Sequence, residues 1–150
     1  MSIHYSPYNE NDKLEIIDLI KQLYVEDDGG EPMTLEKINA TIHFLNKNPQ
    51  NGQIVSIKDK DSILGYAILI NFWSNELGGI ILHVDELYIK KEYRSQSIGT
   101  QFIKHLIKTK RKDYIAIQLE VYPSNMKALD FYSKNGFHKT ESNLLRYSLN

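Results

Sequence analysis

The chain contains no cysteine. That absence excludes a disulfide framework, a thiolate metal site and a cysteine nucleophile, and it agrees with a reducing compartment. Its four prolines and eight glycines form no stretch long enough to link two domains, and no segment repeats. Charge of one sign is also missing: 18 Lys+Arg against 19 Asp+Glu give a formal net charge of −1, so no global field draws the chain to nucleic acid or an anionic membrane. No apolar run reaches the roughly 18 residues of a membrane span, and Met1-Ser2-Ile3-His4-Tyr5 lacks the basic-then-apolar order of a secretory leader. We therefore expect a cytoplasmic protein with no membrane or nucleic-acid partner. What is present is ordinary for a folded domain, 41% apolar and 25% charged residues. At 150 residues the chain is predicted to form a single domain over 1–150, and a domain of this size buries about 68–70% of its unfolded surface.

The periodicities change in kind along the chain. Leu14, Ile17, Ile20 and Leu23 recur at helical spacing over residues 11–24, and Glu26-Asp27-Asp28-Gly29-Gly30-Glu31-Pro32 then breaks the pattern. Thr34 stands where a cap belongs for a second helix carrying Leu35, Ile38, Ile42 and Leu45, which Asn48-Pro49 ends. Residues 53–58 and 62–73 are rich in isoleucine and aromatics and flank Lys58-Asp59-Lys60-Asp61, which predicts an antiparallel hairpin. Residues 80–89 predict another long strand, residues 97–110 a helix with Ile98, Phe102, Leu106 and Ile107 on one face, and residues 115–121 a strand buried on both faces. A short helix over 125–135 is stopped by Gly136, and residues 137–149 are expected to end the chain as a strand. With the segment before Pro7 as one more strand, the order β-α-α-β-β-β-α-β-α-β predicts an α/β fold: a mixed sheet with helices on both faces.

The segment Val84-Asp85-Glu86-Leu87-Tyr88-Ile89-Lys90-Lys91-Glu92-Tyr93-Arg94-Ser95-Gln96-Ser97-Ile98-Gly99-Thr100 is the most informative. A strand ends, a polar turn of small residues follows, and an amphipathic helix begins. Such a turn aims unpaired backbone N–H groups and the positive end of a helix dipole at one spot, which suits a pyrophosphate, and Arg94 adds a fixed charge. On its own it is also what an ordinary capped helix looks like. Further on comes Asn125-Met126-Lys127-Ala128-Leu129-Asp130-Phe131-Tyr132-Ser133-Lys134-Asn135-Gly136-Phe137. The two segments in this order resemble the GNAT N-acetyltransferase superfamily. Its acetyl-CoA signature reads Arg/Gln-x-x-Gly-x-Gly/Ala after the fourth strand, followed by Asn-x-x-Ala-x-x-Phe-Tyr-x-x-x-Gly-Phe. Arg94, Gly99, Asn125, Ala128, Phe131, Tyr132, Gly136 and Phe137 stand in those places. Ser97 departs from the pattern where a glycine is usual; its Cβ hinders close approach and disfavours positive φ, while its hydroxyl offers a bond to phosphate or a helix cap.

The resemblance implies acetyl-CoA as co-substrate, its pantetheine arm against the backbone of Leu87, Tyr88 and Ile89 where two parallel strands splay apart. It implies that the N–H groups of Arg94, Ser95, Gln96, Ser97, Ile98, Gly99 and Thr100 hold the pyrophosphate, with Asn125 on the arm's other side. Acetyl transfer to an amine needs a base, and the best-placed carboxylates are Asp85 and Glu86. A regular strand would turn only one of them into the cleft unless a bulge admits both; reach favours Glu86, and Asp85 stays beside it. A strand-edge N–H such as that of Ile89 suits the oxyanion, and Tyr132 matches the family's usual general acid for the thiolate. Without the motif Tyr132 would read as core. The acidic loop with Glu26, Asp27, Asp28 and Glu31 would cover the acceptor side and favour a small cationic amine, with Tyr24, Phe72 and Trp73 as aromatic walls. His4, His43, His83, His105 and His138 show no metal-ligand spacing, so no metal is expected, and Lys108, Lys110, Arg111 and Lys112 read as a solvated helix end. Two alternatives stand beside this reading: transfer to a protein N-terminus or lysine, and a non-catalytic acyl-CoA sensor, for which only Ser97 speaks. A homodimer is left open.

Overall fold

The computed structural model describes residues 1–150. The elements run β1 (Ile3–Pro7), α1 (Lys13–Glu26), α2 (Leu35–Lys47), β2 (Gly52–Asp59), β3 (Ser62–Ser74), β4 (Gly79–Ile89), α3 (Ile98–Lys110), β5 (Ala116–Gln118) and α4 (Met126–Lys134). The five strands form one sheet in sequence order. β1, β2, β3 and β4 pair antiparallel with their neighbours, and β4 pairs parallel with β5 across the α3 crossover. The α/β reading holds, including the strand before Pro7.

Local chemistry explains the boundaries. Thr34 is extended and its side chain accepts the Lys37 N–H at 3.2 Å, opening α2 as predicted. Asn48 closes α2 by returning both its N–H and its Nδ2 to the Phe44 carbonyl, just before Pro49. In the hairpin between β2 and β3, Lys60 carries the positive φ, 54°, that the two-residue turn demands.

Both faces of the sheet are covered. Ile16, Leu19 and Ile20 of α1 and Ile38, Ile42 and Leu45 of α2 pack on Ile54, Tyr66, Ile68 and Tyr88. Ile98, Phe102 and Leu106 of α3 pack on Val55, Ile57, Leu64, Ala67, Leu69, Leu82 and Val84 from the other side. The apolar stripe of α1 is rotated from the one expected, since Leu14 is 83% exposed while Ile16 and Leu19 are buried.

Two expectations at the end of the chain need correction. The strand predicted over 115–121 and buried on both faces is only Ala116–Gln118 and only half-buried, because the chain leaves β4 after Gln118 and loses its pairing partner. Residues 137–149 form no strand. The alternation of Leu145, Tyr147 and Leu149 has the strand period, but all three are at least 87% exposed and no neighbour supplies a ladder.

Candidate active site

β4 is paired on both sides only in its first half. It meets β5 at Ile81, Leu82 and His83, and beyond His83 that edge runs free to Ile89. A β-bulge falls at the same point: Ile68 faces Glu86 and Leu69 faces Val84, which leaves Asp85 with no partner on β3. A bulge bends its strand and increases the twist, and β4 and β5 separate there. It also resets side-chain direction. Val84 and Leu87, three apart, both pack toward α3, whereas Glu86 and Tyr88 bond to residues of α1. Asp85 lies 3.6 Å from His83 Nε2, two residues back on the same side of the strand. Asp85 and Glu86 therefore face one cleft although they are consecutive.

Their surroundings differ sharply. Glu86 is 9% exposed; Tyr24 of α1 donates to its Oε2 at 2.6 Å and Tyr66 of β3 donates to its Oε1 at 2.7 Å. Burial pushes the Glu86 carboxyl above the usual carboxylate range, the two tyrosine bonds oppose that rise, and the neighbouring Asp85 charge adds to it. The Asp85 side chain is half-exposed. Burial, followed by the Glu86 hydrogen bond and charge, raises the Tyr24 phenol well above its ordinary value.

The cleft is open and about 1640 Å³ in volume, walled by Asp85 and Glu86, the β5 segment, α4 and the loop between α1 and α2. That loop is seated on a ring. A Cβ on Gly29 would lie 3.0 Å from Tyr122 Cγ, and one on Gly30 would lie 2.8 Å from the Tyr122 hydroxyl, so the double glycine is what lets the loop lie on Tyr122. Asn125 joins the two sides: its Oδ1 caps α4 on the Ala128 N–H and its Nδ2 donates to Asp27 at 3.3 Å. Tyr132 also lines the cleft, held edge-on between Phe131 and Phe137 at ring distances of 5.0 and 5.5 Å, with no hydrogen-bond partner for its hydroxyl. Burial pushes its phenol up to about 12.

Beyond the cleft, the turn after β4 opens α3. Ser95 and Ser97 adopt left-handed conformations, with φ of 63° and 62°. None of the backbone N–H groups of Ser95, Gln96, Ser97, Ile98, Gly99 and Thr100 has an acceptor within the chain. Left-handed residues alternating with ordinary ones point such groups toward one concavity suited to an anion. The Ser97 hydroxyl makes no cap bond to α3, contrary to one of the two roles it offered. Arg94 is already engaged: its Nε donates to the Ile89 carbonyl at 2.8 Å, its Nη2 to Glu26 at 2.7 Å, and its guanidinium lies 5.0 Å from the Tyr88 ring centre. Burial works to raise Glu26, but Arg94 and then Lys91 outweigh it and hold that carboxyl below its usual value. A Cβ on Gly99 would meet Phe131 at 3.2 Å, so this glycine serves the packing of α3 on α4.

Residues 14–137 match the acetyltransferase (GNAT) family model. The chain belongs to the acetyltransferase (GNAT) family. Solved structures agree in fold at low identity. A possible acetyltransferase from Clostridium difficile 630 is 18% identical, with a TM-score of 0.88 over 100% of this chain and 99% of that one. An aminoglycoside acetyltransferase from an uncultured soil metagenomic sample, solved with sisomicin, is 16% identical, with a TM-score of 0.77 over 99% and 97%. Glucosamine-6-phosphate N-acetyltransferase from Arabidopsis thaliana is 15% identical, with a TM-score of 0.72 over 98% and 99%. No curated protein matches in sequence.

In this acetyltransferase the fold gathers Tyr24, Asp27, Glu31, Asp85, Glu86 and Tyr132 around one cleft. It does not bring the other predicted acceptor residues there. Trp73 and Phe72 are 64% and 54% exposed at the far end of β3, opposite Ile80 and Ile81, because β3 outruns the region that α1 and α2 cover. Asp28 is exposed in the loop outside the cleft lining, and Glu26 turns away to Arg94 and Lys91. Leu87, Tyr88, Ile89 and the turn 94–100 lie along the continuation of β4 past the cleft, and Asn125 at its rim. Sequence reasoning missed Tyr66, Tyr122 and the pairing of Glu26 with Arg94. Only the consecutive Gly29 and Gly30 signalled that something approaches the loop closely. No helix is long and apolar enough to cross a membrane.

Proposed function

We propose that this acetyltransferase moves an acetyl group from acetyl-CoA to the primary amine of a small cationic acceptor within a ternary complex. The observation that carries this reading is the Asp85 bulge, which puts a half-exposed carboxylate and a buried, basic one on the same wall of the cleft. Asp27 and Glu31 add acid from the loop; of the cleft cations, Lys37 of α2 stands beside that loop with its Nζ donating to the Pro32 carbonyl, and Lys110, Arg111, Lys139 and Arg146 come from the end of α3 and the C-terminal segment. The aminoglycoside acetyltransferase of the same fold supports an amine-rich acceptor.

The turn fits acetyl-CoA. Six unpartnered N–H groups at the start of α3 offer donors to a pyrophosphate, and the free edge of β4 offers backbone partners to an amide-bearing arm. When bound, acetyl-CoA supplies the thioester and a thiolate leaving group. Glu86 takes the proton that a primary amine must lose before attack. The N–H groups of the β4 edge, that of Ile89 among them, donate to the oxyanion in this reading. Tyr132, which stays protonated across the neutral range, gives the thiolate its proton.

Two measurements test this. Acetyl-CoA at a hundredfold excess over Kd should stabilise the protein by about 2.7 kcal/mol in thermal unfolding. Thiol release with acetyl-CoA should be faster with spermidine or sisomicin than with glucosamine 6-phosphate or a neutral peptide. No thermal shift at millimolar acetyl-CoA, or a preference for the peptide, would overturn the reading.

A further inference from the structure

Glu86 borders the cleft, yet neither of its oxygens is free of a phenol. Tyr66, on Oε1, is fully buried in the sheet and leads nowhere. Tyr24, on Oε2, lies on the last full turn of α1 and lines the cleft, so one hydroxyl stands between Glu86 and an incoming amine. We propose that Tyr24 is a catalytic residue, the group that touches the reacting amine and relays its proton to Glu86. This rests on the acetyl-transfer reading above and goes beyond the role of an aromatic wall.

In the step, the amine nitrogen gives a proton to Tyr24 Oη while the Oη proton passes to Glu86 Oε2. The lone pair freed on nitrogen forms the N–C bond to the acetyl carbonyl. The C–S bond breaks with its electron pair on sulfur, which takes the Tyr132 proton. Of the three ammonium protons, one stays on the amide, one leaves through Tyr24 and Glu86 to solvent, and one replaces the proton that Tyr132 gave up. Tyr24 ends as it began, and its raised phenol value fits a residue that passes a proton without resting as the anion. The ionisable groups around Glu86 are Tyr24 on α1, Tyr66 on β3 and Asp85 on its own strand.

The test uses spermidine and acetyl-CoA with the full chain. Tyr24→Phe keeps the ring in the α1 core and removes only the hydroxyl. Wild type should turn over, and Y24F should lose kcat about 30- to 100-fold, within the range of proton-transfer catalysis, with the acetyl-CoA thermal shift unchanged. Because the Tyr24 bond lowers Glu86, its loss should also move the acid limb of the kcat/KM profile to higher pH whether or not Tyr24 carries the proton, so the relay is read from kcat on the plateau above that limb. Two groups in series lose little more together than one alone, so Y24F/E86Q should be about as slow as E86Q. Plateau kcat in Y24F within threefold of wild type, or losses that multiply in the double variant, would overturn the relay while leaving acetyl transfer intact. No turnover of spermidine by wild type would instead overturn the reading on which the relay rests.

Discussion

Ser97→Gly should stabilise this protein, and Ser97→Ala should leave its stability unchanged, the reverse of what a serine at a helix N-cap normally does. Ser97 precedes α3 with φ of 62°, and its hydroxyl accepts no bond from the helix N–H groups. An L-residue in the left-handed region costs about 1–2 kcal/mol. Glycine removes that cost but loses more chain entropy on folding, about 0.5–1 kcal/mol. The difference leaves S97G more stable by about 0.5–1 kcal/mol, or roughly 1–4 °C in Tm for a chain of this length. Alanine keeps the Cβ and the strain, and it forfeits no hydrogen bond, so S97A should stay within about 0.5 kcal/mol. For an ordinary capping serine, alanine costs about 1 kcal/mol and glycine a few tenths. Urea unfolding of the three chains at constant m separates the two cases. A loss near 1 kcal/mol in S97A, or any loss in S97G, would refute the reasoning. Ser95 has the same φ sign and the same exposure, so S95G/S97G should gain about twice as much.

The other predictions concern the cleft and the Glu26 ion pairs beside it. Tyr132→Phe should keep the fold and acetyl-CoA affinity and reduce kcat and kcat/KM together by about 10², because a thiol of pKa about 8.5 leaves moderately well unaided; full kcat across pH 6–9 would remove it as the acid. Gly29→Ala would push a methyl onto the Tyr122 ring, and it should cost about 1 kcal/mol and raise KM for spermidine more than that for acetyl-CoA. With Asp27, Glu31 and Asp85 drawing in a polycation, kcat/KM for spermidine should fall as salt rises, and a flat dependence would make the loop an ordinary solvated surface. Glu26 is held low by Arg94 and Lys91, so its stabilisation is present above the unfolded value and lost as pH falls through the folded one. Replacing it by glutamine should flatten that acid limb of the stability curve.

The helices were legible because each carries its own period and punctuation: Thr34 before α2, the Glu26-to-Pro32 break after α1, Gly136 after α4. The strands were legible where neighbours in sequence are neighbours in space, as in the hairpin of β2 and β3. The sequence pattern over 115–121 and 137–149 misled because a strand exists only with a partner, and apolar alternation cannot say whether an edge is within reach. Asp85 and Glu86 were singled out by chemistry and both line the cleft, but which way each points depended on a one-residue register shift that composition does not encode. Tyr66 was hidden for the opposite reason: a tyrosine amid apolar strand residues reads as core, and it is core, with only its hydroxyl turned to Glu86.

The unpaired residue of β4 has a consequence for how this protein can change. With Asp85 removed, Val84 would still face Leu69 and Glu86 would still face Ile68, so every other side chain on the strand would keep its side of the sheet. The identity of residue 85 is thus uncoupled from the register of the two cores, while its presence makes the bulge at which β4 and β5 part and its side chain looks into the cleft. On the acetyl-transfer reading proposed above, variation confined to residue 85 should retune the charge met by an incoming amine while leaving both cores in register, which makes it the natural first position for redirecting the enzyme to a new acceptor.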